Sequence, residues 1–304
     1  MNAFEKARRF VYRSARPLDL ARWQYHFEKG SAENVIAVLQ MYQNEDGGFG
    51  YGLEGDYTNP NSSPIQTWVA TEILREINCT DPGHPMINRI LNYLSSGQDF
   101  DWEHRQWLNT VPSNNDYPHA IWWAYKEGEV EFKYNPTACL AGFFLKYGDE
   151  NCAFYNTAVK IAREAYDYWI SCVPYTEQHV TACFIRLYEY CTEAGVQIAD
   201  MDIFRQKLME QVRYELISVA DKWDSEYVCM PSNFISRRDS IFYADNAELI
   251  ERECVYIVQR QLEDGSFVIP WEWWTEYKEY EIAKIWWKAD FCIRYMRFLR
   301  EFGS

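Results

Sequence analysis

An all-α fold of paired helices is the class this sequence predicts, and three observations predict it. Two stretches far apart in the chain read alike: Gln43-Asn44-Glu45-Asp46-Gly47-Gly48-Phe49 and Gln261-Leu262-Glu263-Asp264-Gly265-Ser266-Phe267. Apolar residues return at helical spacing along most of the chain. No sustained two-residue alternation marks a strand. A unit of helix, turn and buried aromatic that recurs in this way signals an array of helical hairpins.

The elements follow in order. Val35, Val38, Leu39 and Tyr42 form the stripe of a helix ahead of the first turn. In that turn a glycine supplies the left-handed backbone that ends a helix, and Phe49 folds back onto the apolar face. The Gln43 amide can bond backbone groups left open at the helix end. Ser63-Pro64, His84-Pro85 and Asn135-Pro136 each set proline at a first helical position, with Ser63 and Asn135 able to cap. Further stripes run through Ile87, Ile90, Leu91 and Leu94, then Ala158, Ile161, Ala162, Ala165 and Trp169, then Val180, Cys183, Phe184 and Leu187. Leu208, Met209, Val212, Leu216 and Val219 give another. Ile250, Cys254, Ile257 and Val258 precede the second turn, and Ile282, Ile285, Trp286, Ala289, Ile293 and Met296 close the series. This amounts to roughly ten to twelve helices. Three irregular stretches interrupt them: 47–63, 99–118 and 222–245. Long structured loops in a compact domain often carry function.

The pattern Gln-x-x-Asp-Gly-x-aromatic resembles the QW-type repeat of the terpenoid cyclase and protein prenyltransferase superfamily, the squalene cyclase-like proteins. Phe49 and Phe267 stand where that repeat has Trp, and Tyr93 to Trp102 is a looser third echo. The run from Asp46 to Asp56, with Asn115-Asp116-Tyr117-Pro118-His119 and Asn135-Pro136-Thr137-Ala138, is similar to a group of bacterial proteins of this type. The resemblance implies an α/α toroid (barrel) of about five to six helical hairpins, using residues 1–304 as a single domain. It implies little about chemistry, because such repeats tie helices together and do not touch substrate.

Composition narrows the function. A net charge of −15 and isolated basic pairs (Arg8-Arg9, Arg237-Arg238) count against nucleic acid. They also count against non-specific attraction to anionic membranes. The longest apolar run, Ala138 to Leu145, is too short to span a bilayer, and no signal peptide is apparent. Nine cysteines without paired spacing fit reduced thiols in a cytoplasmic protein. The 13 Trp and 23 Tyr fit both a bulky core and the walls of a cavity.

Two constellations carry candidate chemistry. In Tyr51-Gly52-Leu53-Glu54-Gly55-Asp56-Tyr57, two carboxylates between glycines and tyrosines fit an acid site, since burial lets a carboxyl hold and donate a proton. The same residues fit a solvated Asx-type turn. In Asn115-Asp116-Tyr117-Pro118-His119, Asp116 can orient His119 as an acid-base pair, or it can cap a helix opening at Pro118. The candidate catalytic residues are therefore Glu54, Asp56, Asp116 and His119, and the candidate substrate-binding residues are Tyr51, Tyr57, Trp68, Tyr117, Trp122 and Trp123. Trp271-Glu272-Trp273-Trp274 fits a stacking platform or plain packing between the last helices.

The motifs that the resemblance would supply are incomplete. The Asp-x-Asp-Asp acid motif of class II cyclases is missing; Asp99-Phe100-Asp101 and Asp200-Met201-Asp202 match only its first half. The aspartate-rich diphosphate motif is missing too. Asp290-Phe291-Cys292 matches the Asp-x-Cys zinc pair of prenyltransferases, with no later His to complete the shell. No metal and no cofactor is expected. Three functions stay open: an isoprenoid-processing enzyme of the cyclase kind, a carbohydrate-active hydrolase or lyase, and a non-catalytic binding or scaffolding toroid. The expected partner is a small molecule, isoprenoid or glycan, and the sequence does not fix any partner subunit.

Overall fold

The computed structural model describes residues 2–129 and 133–303. Eleven α-helices occur among the described residues. They are α1 (Ala3–Ser14), α2 (Pro17–Phe27), α3 (Ala32–Leu39), α4 (Pro64–Glu76), α5 (Pro85–Ser95), α6 (Thr137–Tyr147), α7 (Tyr155–Cys172), α8 (Gln178–Ala194), α9 (Met201–Val219), α10 (Ala247–Arg260) and α11 (Tyr280–Phe302). Two short strands, β1 (Phe100–Asp101) and β2 (Gln106–Trp107), pair antiparallel with Phe100 opposite Trp107. The fold is all-helical, as the periodicity predicts. The chain divides into two compact units: Met1–Met41 with Val212–Ser304, and Tyr42–Gln211.

The second unit, Tyr42–Gln211, is organised by α6. Nearly every residue of this helix is buried, the pattern of a helix surrounded by partners. It packs most heavily on α8 and α7, with α5 and α4 also against it. Gly142 explains the close approach to α8: a Cβ there would lie 3.1 Å from the Leu187 Cα and from the Tyr190 ring. The α4, α6 and α8 surfaces share an ion network. Arg75 bonds Glu189 and Glu193, Lys146 bonds Glu193, and Arg186 bonds Glu72 and Glu189. The Arg75 and Lys146 cations also lie over the buried Tyr190 ring, at 5.0 and 5.6 Å.

The first unit is built on α1, α2, α3, α10 and α11, with α11 against α1, α2 and α10. A buried charge cluster ties it together. Asp19, fully buried, accepts from Arg16 Nε at 2.8 Å and Arg22 Nη1 at 3.2 Å. Arg22 also donates to Asp290 at 2.8 Å. Asp290-Phe291-Cys292 is thus occupied by packing: Phe291 and Cys292 are buried, and the Cys292 thiol points to the Gly265 carbonyl at 3.6 Å.

Several local expectations are corrected. Ser63 caps α4 with Pro64 at its first position, as the sequence implies, but Asn135 does not cap α6. Pro136 takes that place, and the helix starts at Thr137. His84 is a cap the sequence reading missed: its Nδ1 accepts from the Met86 amide at 3.2 Å. On α11 the buried face holds Ala283, Ala289, Ile293 and Met296, whereas Ile282 and Ile285 are exposed. No helix among the described residues is long and apolar enough to cross a membrane.

Candidate functional site

The two long loops of the second unit come together. Tyr57 and His119 face each other as an antiparallel bridge. The Thr58 amide donates to the Pro118 carbonyl at 2.9 Å and the Ala120 amide to the Asp56 carbonyl at 2.8 Å. Asn59, fully buried, donates through Nδ2 to Ser113 Oγ at 2.8 Å and Asn114 Oδ1 at 3.0 Å. Gln66 on α4 fastens the other side: its Oε1 accepts from the Leu53 amide at 2.8 Å and its Nε2 donates to the Asn59 carbonyl at 3.0 Å. Side-chain amides here replace the backbone partners that an irregular segment lacks.

Within this frame Glu54 and Asp56 are both buried. A Glu54 carboxylate oxygen accepts from the Asp56 amide at 2.8 Å. Tyr57, also buried, shares a 2.7 Å bond with Ser63 Oγ and meets the Trp123 ring at 5.2 Å. The Trp123 Nε1 is buried with no hydrogen-bond partner. His119 Nδ1 lies 2.6 Å from the Tyr117 carbonyl, which only accepts. In the neutral ring Nδ1 therefore carries the proton and Nε2 is the basic nitrogen.

The remaining candidates spread over the surface. Asp116 is exposed at the end of a 3₁₀ turn, Pro112–Asp116, and the His119 Nδ1 bond goes to Tyr117 rather than to Asp116. No α-helix opens at Pro118; Ile121–Trp123 is a single 3₁₀ turn with Trp122 exposed. Tyr51 is 55% exposed with φ +61°, and Trp68 and Tyr117 are half-buried.

A second group of acids is less visible in the sequence. Tyr93 on α5 is buried and donates through its hydroxyl to Asp99 Oδ2 at 3.0 Å. Burial pushes the half-buried Asp99 carboxyl up to about 6, and the Asp46 charge adds to that. Burial also raises the Tyr93 phenol well above its ordinary value, with Asp99, Asp46 and Tyr57 contributing. Tyr57 is raised by burial and by the charges of Glu54 and Asp99. Asp99 and Asp46 thus act on each other and on Tyr93, while Asp99 and Glu54 act on Tyr57. The half motif Asp99-Phe100-Asp101 and the looser echo from Tyr93 to Trp102 were the sequence signals for Asp99. Nothing in the spacing marks Asp46 as its neighbour.

Among the described residues no group of three or more His, Cys, Asp and Glu side chains has an arrangement that would hold a metal ion. No family model, curated protein or solved structure matches the chain.

Proposed function

We propose that the chain is a terpenoid cyclase-like or prenyltransferase-like α/α toroid, acting on an isoprenoid or other hydrophobic small molecule by carboxylic-acid-initiated chemistry. The observation that carries this reading is Asp99: a half-buried carboxyl, held by Tyr93, that keeps its proton up to about pH 6. Asp99 gives that proton to an alkene carbon or an epoxide oxygen. The alkene π pair, or a lone pair on the epoxide oxygen, takes the proton; in the epoxide the C–O bond then breaks with its pair going to oxygen, and in either case a carbocation and a carboxylate remain. The Tyr93 hydroxyl holds the carboxylate, which later takes a proton back as the cation collapses to product. Glu54 and Asp46 keep the cluster electronegative beside the cation, and aromatic faces such as Tyr57 and Trp123 add about 0.5 to 2 kcal/mol each where water is excluded. The nine cysteines are free thiols, in keeping with a cytoplasmic enzyme.

The experiment is a product search after incubation with isoprenoid alcohols, diphosphates and epoxides. Turnover is expected to fall as pH rises through about 6, since the protonated acid is the reactive form. Asp99→Asn is expected to lower it by about a hundredfold or more at unchanged folding. Full turnover in that variant would remove Asp99 from the mechanism.

One observation favours a second reading, a non-catalytic binding toroid. The Glu54 carboxylate is engaged by the Asp56 amide and Asp116 is solvent-exposed, so two of the four catalytic candidates have structural or surface roles. Absence of turnover with intact isoprenoid binding would select it.

A further inference from the structure

The second unit also holds a recess of about 200 Å³, lined by Asn109, Lys133, Asn135, Glu177 and Val180. None of these residues belongs to the acid cluster above. Three segments build it: the stretch after β2, the approach to α6 and the start of α8. The first two are fastened together, since the Trp107 amide donates to Thr137 Oγ1 at 3.0 Å. Between Lys133 and Asn135 the chain turns at Tyr134, whose φ of +60° lies in the left-handed region that side chains rarely adopt. Two contacts hold it there. The Tyr134 amide donates to Gln106 Oε1 at 2.9 Å, and its buried ring meets Tyr168 at 5.3 Å. Asn135 is held in turn by the Cys183 thiol, which donates to its Oδ1 at 3.5 Å. Its Nδ2 remains as a donor.

Glu177 caps α8, its two carboxylate oxygens accepting from the His179 amide at 3.1 Å and the Val180 amide at 2.9 Å. The cap fixes the carboxylate at the wall and leaves each oxygen a second lone pair. Val180 is buried, and Lys133 is exposed, so the recess opens to solvent on the lysine's side. The walls thus carry one cation, one anion, two side-chain amides and one isopropyl group.

We propose that this recess binds a small zwitterionic α-amino acid, its carboxylate toward Lys133 and Asn135 and its ammonium toward Glu177. An anion alone meets the Glu177 carboxylate, and a cation alone meets the Lys133 ammonium. An apolar ligand would strip water from both charges and from the amides without replacing its hydrogen bonds. A zwitterion pairs both charges at once. Size narrows the choice: at about 30 Å³ for each water-sized volume, the recess holds roughly seven of them. That suits alanine, serine or threonine and is too small for an aromatic amino acid.

The test is calorimetric titration of the full chain with L-alanine, L-serine and L-threonine, beside propionate and ethylamine, which each carry one of the two charges. Saturable heat is expected with at least one amino acid and with neither of the singly charged compounds. Lys133→Met, at an exposed position, is expected to weaken that binding about fivefold. Glu177→Gln, which keeps an acceptor oxygen for the cap, is expected to weaken it about tenfold or more. Asp99→Asn is expected to leave it unchanged, so this proposal and the isoprenoid reading fail separately. No saturable heat from any of the three amino acids up to about 10 mM overturns the proposal. Equal binding of propionate or ethylamine overturns it too, as does a Lys133→Met chain with full affinity, whether or not the Glu177 variant folds.

Discussion

The turns at 43–49 and 261–267 lie one in each unit, and bond for bond they are nearly the same object. In each, the Gln Nε2 donates to the carbonyl of the turn's glycine, Gly47 at 2.9 Å and Gly265 at 3.0 Å. The same amide donates to a first-turn carbonyl of a helix, Met86 on α5 at 3.3 Å and Ala3 on α1 at 2.8 Å. The glycine lies against the carbonyl of the residue three further along that helix: a Cβ would come within 2.1 Å of Arg89 O or Lys6 O. Both glycines have positive φ, +94° and +95°. The Gln amide thus docks the turn onto a second helix and does not close the end of its own, which corrects the sequence reading. Phe49 and Phe267 are both buried beyond the turn.

They differ at two positions, Asn44 against Leu262 and Gly48 against Ser266, and the second carries the contrast. Ser266 donates its hydroxyl to Asp264 Oδ1 at 2.6 Å; in the first turn Gly48 replaces it and Ser62 donates to Asp46 Oδ1 at 2.7 Å. A Cβ on Gly48 would lie 2.6 Å from the Ser62 Cβ, so Ser62 occupies the volume that the Ser266 side chain fills. What the two turns share is a hydroxyl at a point in space, and the chain can supply it from within the turn or from a residue far beyond it. The lesson is that an aligned mismatch, Gly against Ser, can conceal an equivalent contact.

The largest effect that would break this equivalence is at the glycines. Gly47→Ala and Gly265→Ala each force a methyl into a helix carbonyl at positive φ. Each is expected to cost about 3 kcal/mol or more in chemical denaturation. A mild cost in one copy only would show that the two turns are not bearing the same load.

The units also differ in the carboxyl that burial pushes up, Glu253 in one and Asp99 in the other, and pH sharpens that contrast. Burial lifts Glu253 from 4.5 to about 7. A carboxyl with a raised folded pKa contributes fully below 4.5, and that contribution is lost as pH climbs through about 7. Glu253→Gln cannot ionise. The variant is expected to gain up to about 3 kcal/mol over the parent above pH 7 and nothing below pH 4.5, by urea denaturation across that range. A parent whose stability is level between those limits would contradict the burial of a titrating Glu253.

The smallest effect concerns the exchanged serine. Ser62→Ala and Ser266→Ala are expected to cost alike, about 1 kcal/mol each. Gly48→Ser alone overpacks the site, and adding Ser62→Gly is expected to recover about 1 kcal/mol or more of that loss. A double variant no better than Gly48→Ser would separate the two hydroxyl positions.

Much of this was legible in the chain. The Asp-Gly turns, the stripe at Ile87, Ile90 and Leu94, and the Ser63-Pro64 start depend on neighbours within a few residues, and such short-range constraints are written in the sequence. The stripe at Ile282 and Ile285 misled because periodicity gives a helix its faces but does not say which face meets a neighbour. In the candidate site, the loop's composition left Glu54 and Asp56 open between an acid site and a solvated turn, and the packing of the two long loops buried both. The Asp99–Tyr93 bond was not legible either, since spacing alone does not show which carboxyl the packing will strip of water.

The sequence by itself determined an all-helical chain, its two matching turns and a set of acids and aromatics with chemical potential. Only the tertiary structure decided that residues 56–58 pair with 118–120, that Ser62 stands in for Ser266, and that Asp99 and Glu253 are the carboxyls pushed toward neutrality. The physical reason is range. Helix and turn propensities act over one or two turns of chain, whereas desolvation, and the partner a polar atom finds, are set by residues that become neighbours only when the chain has packed.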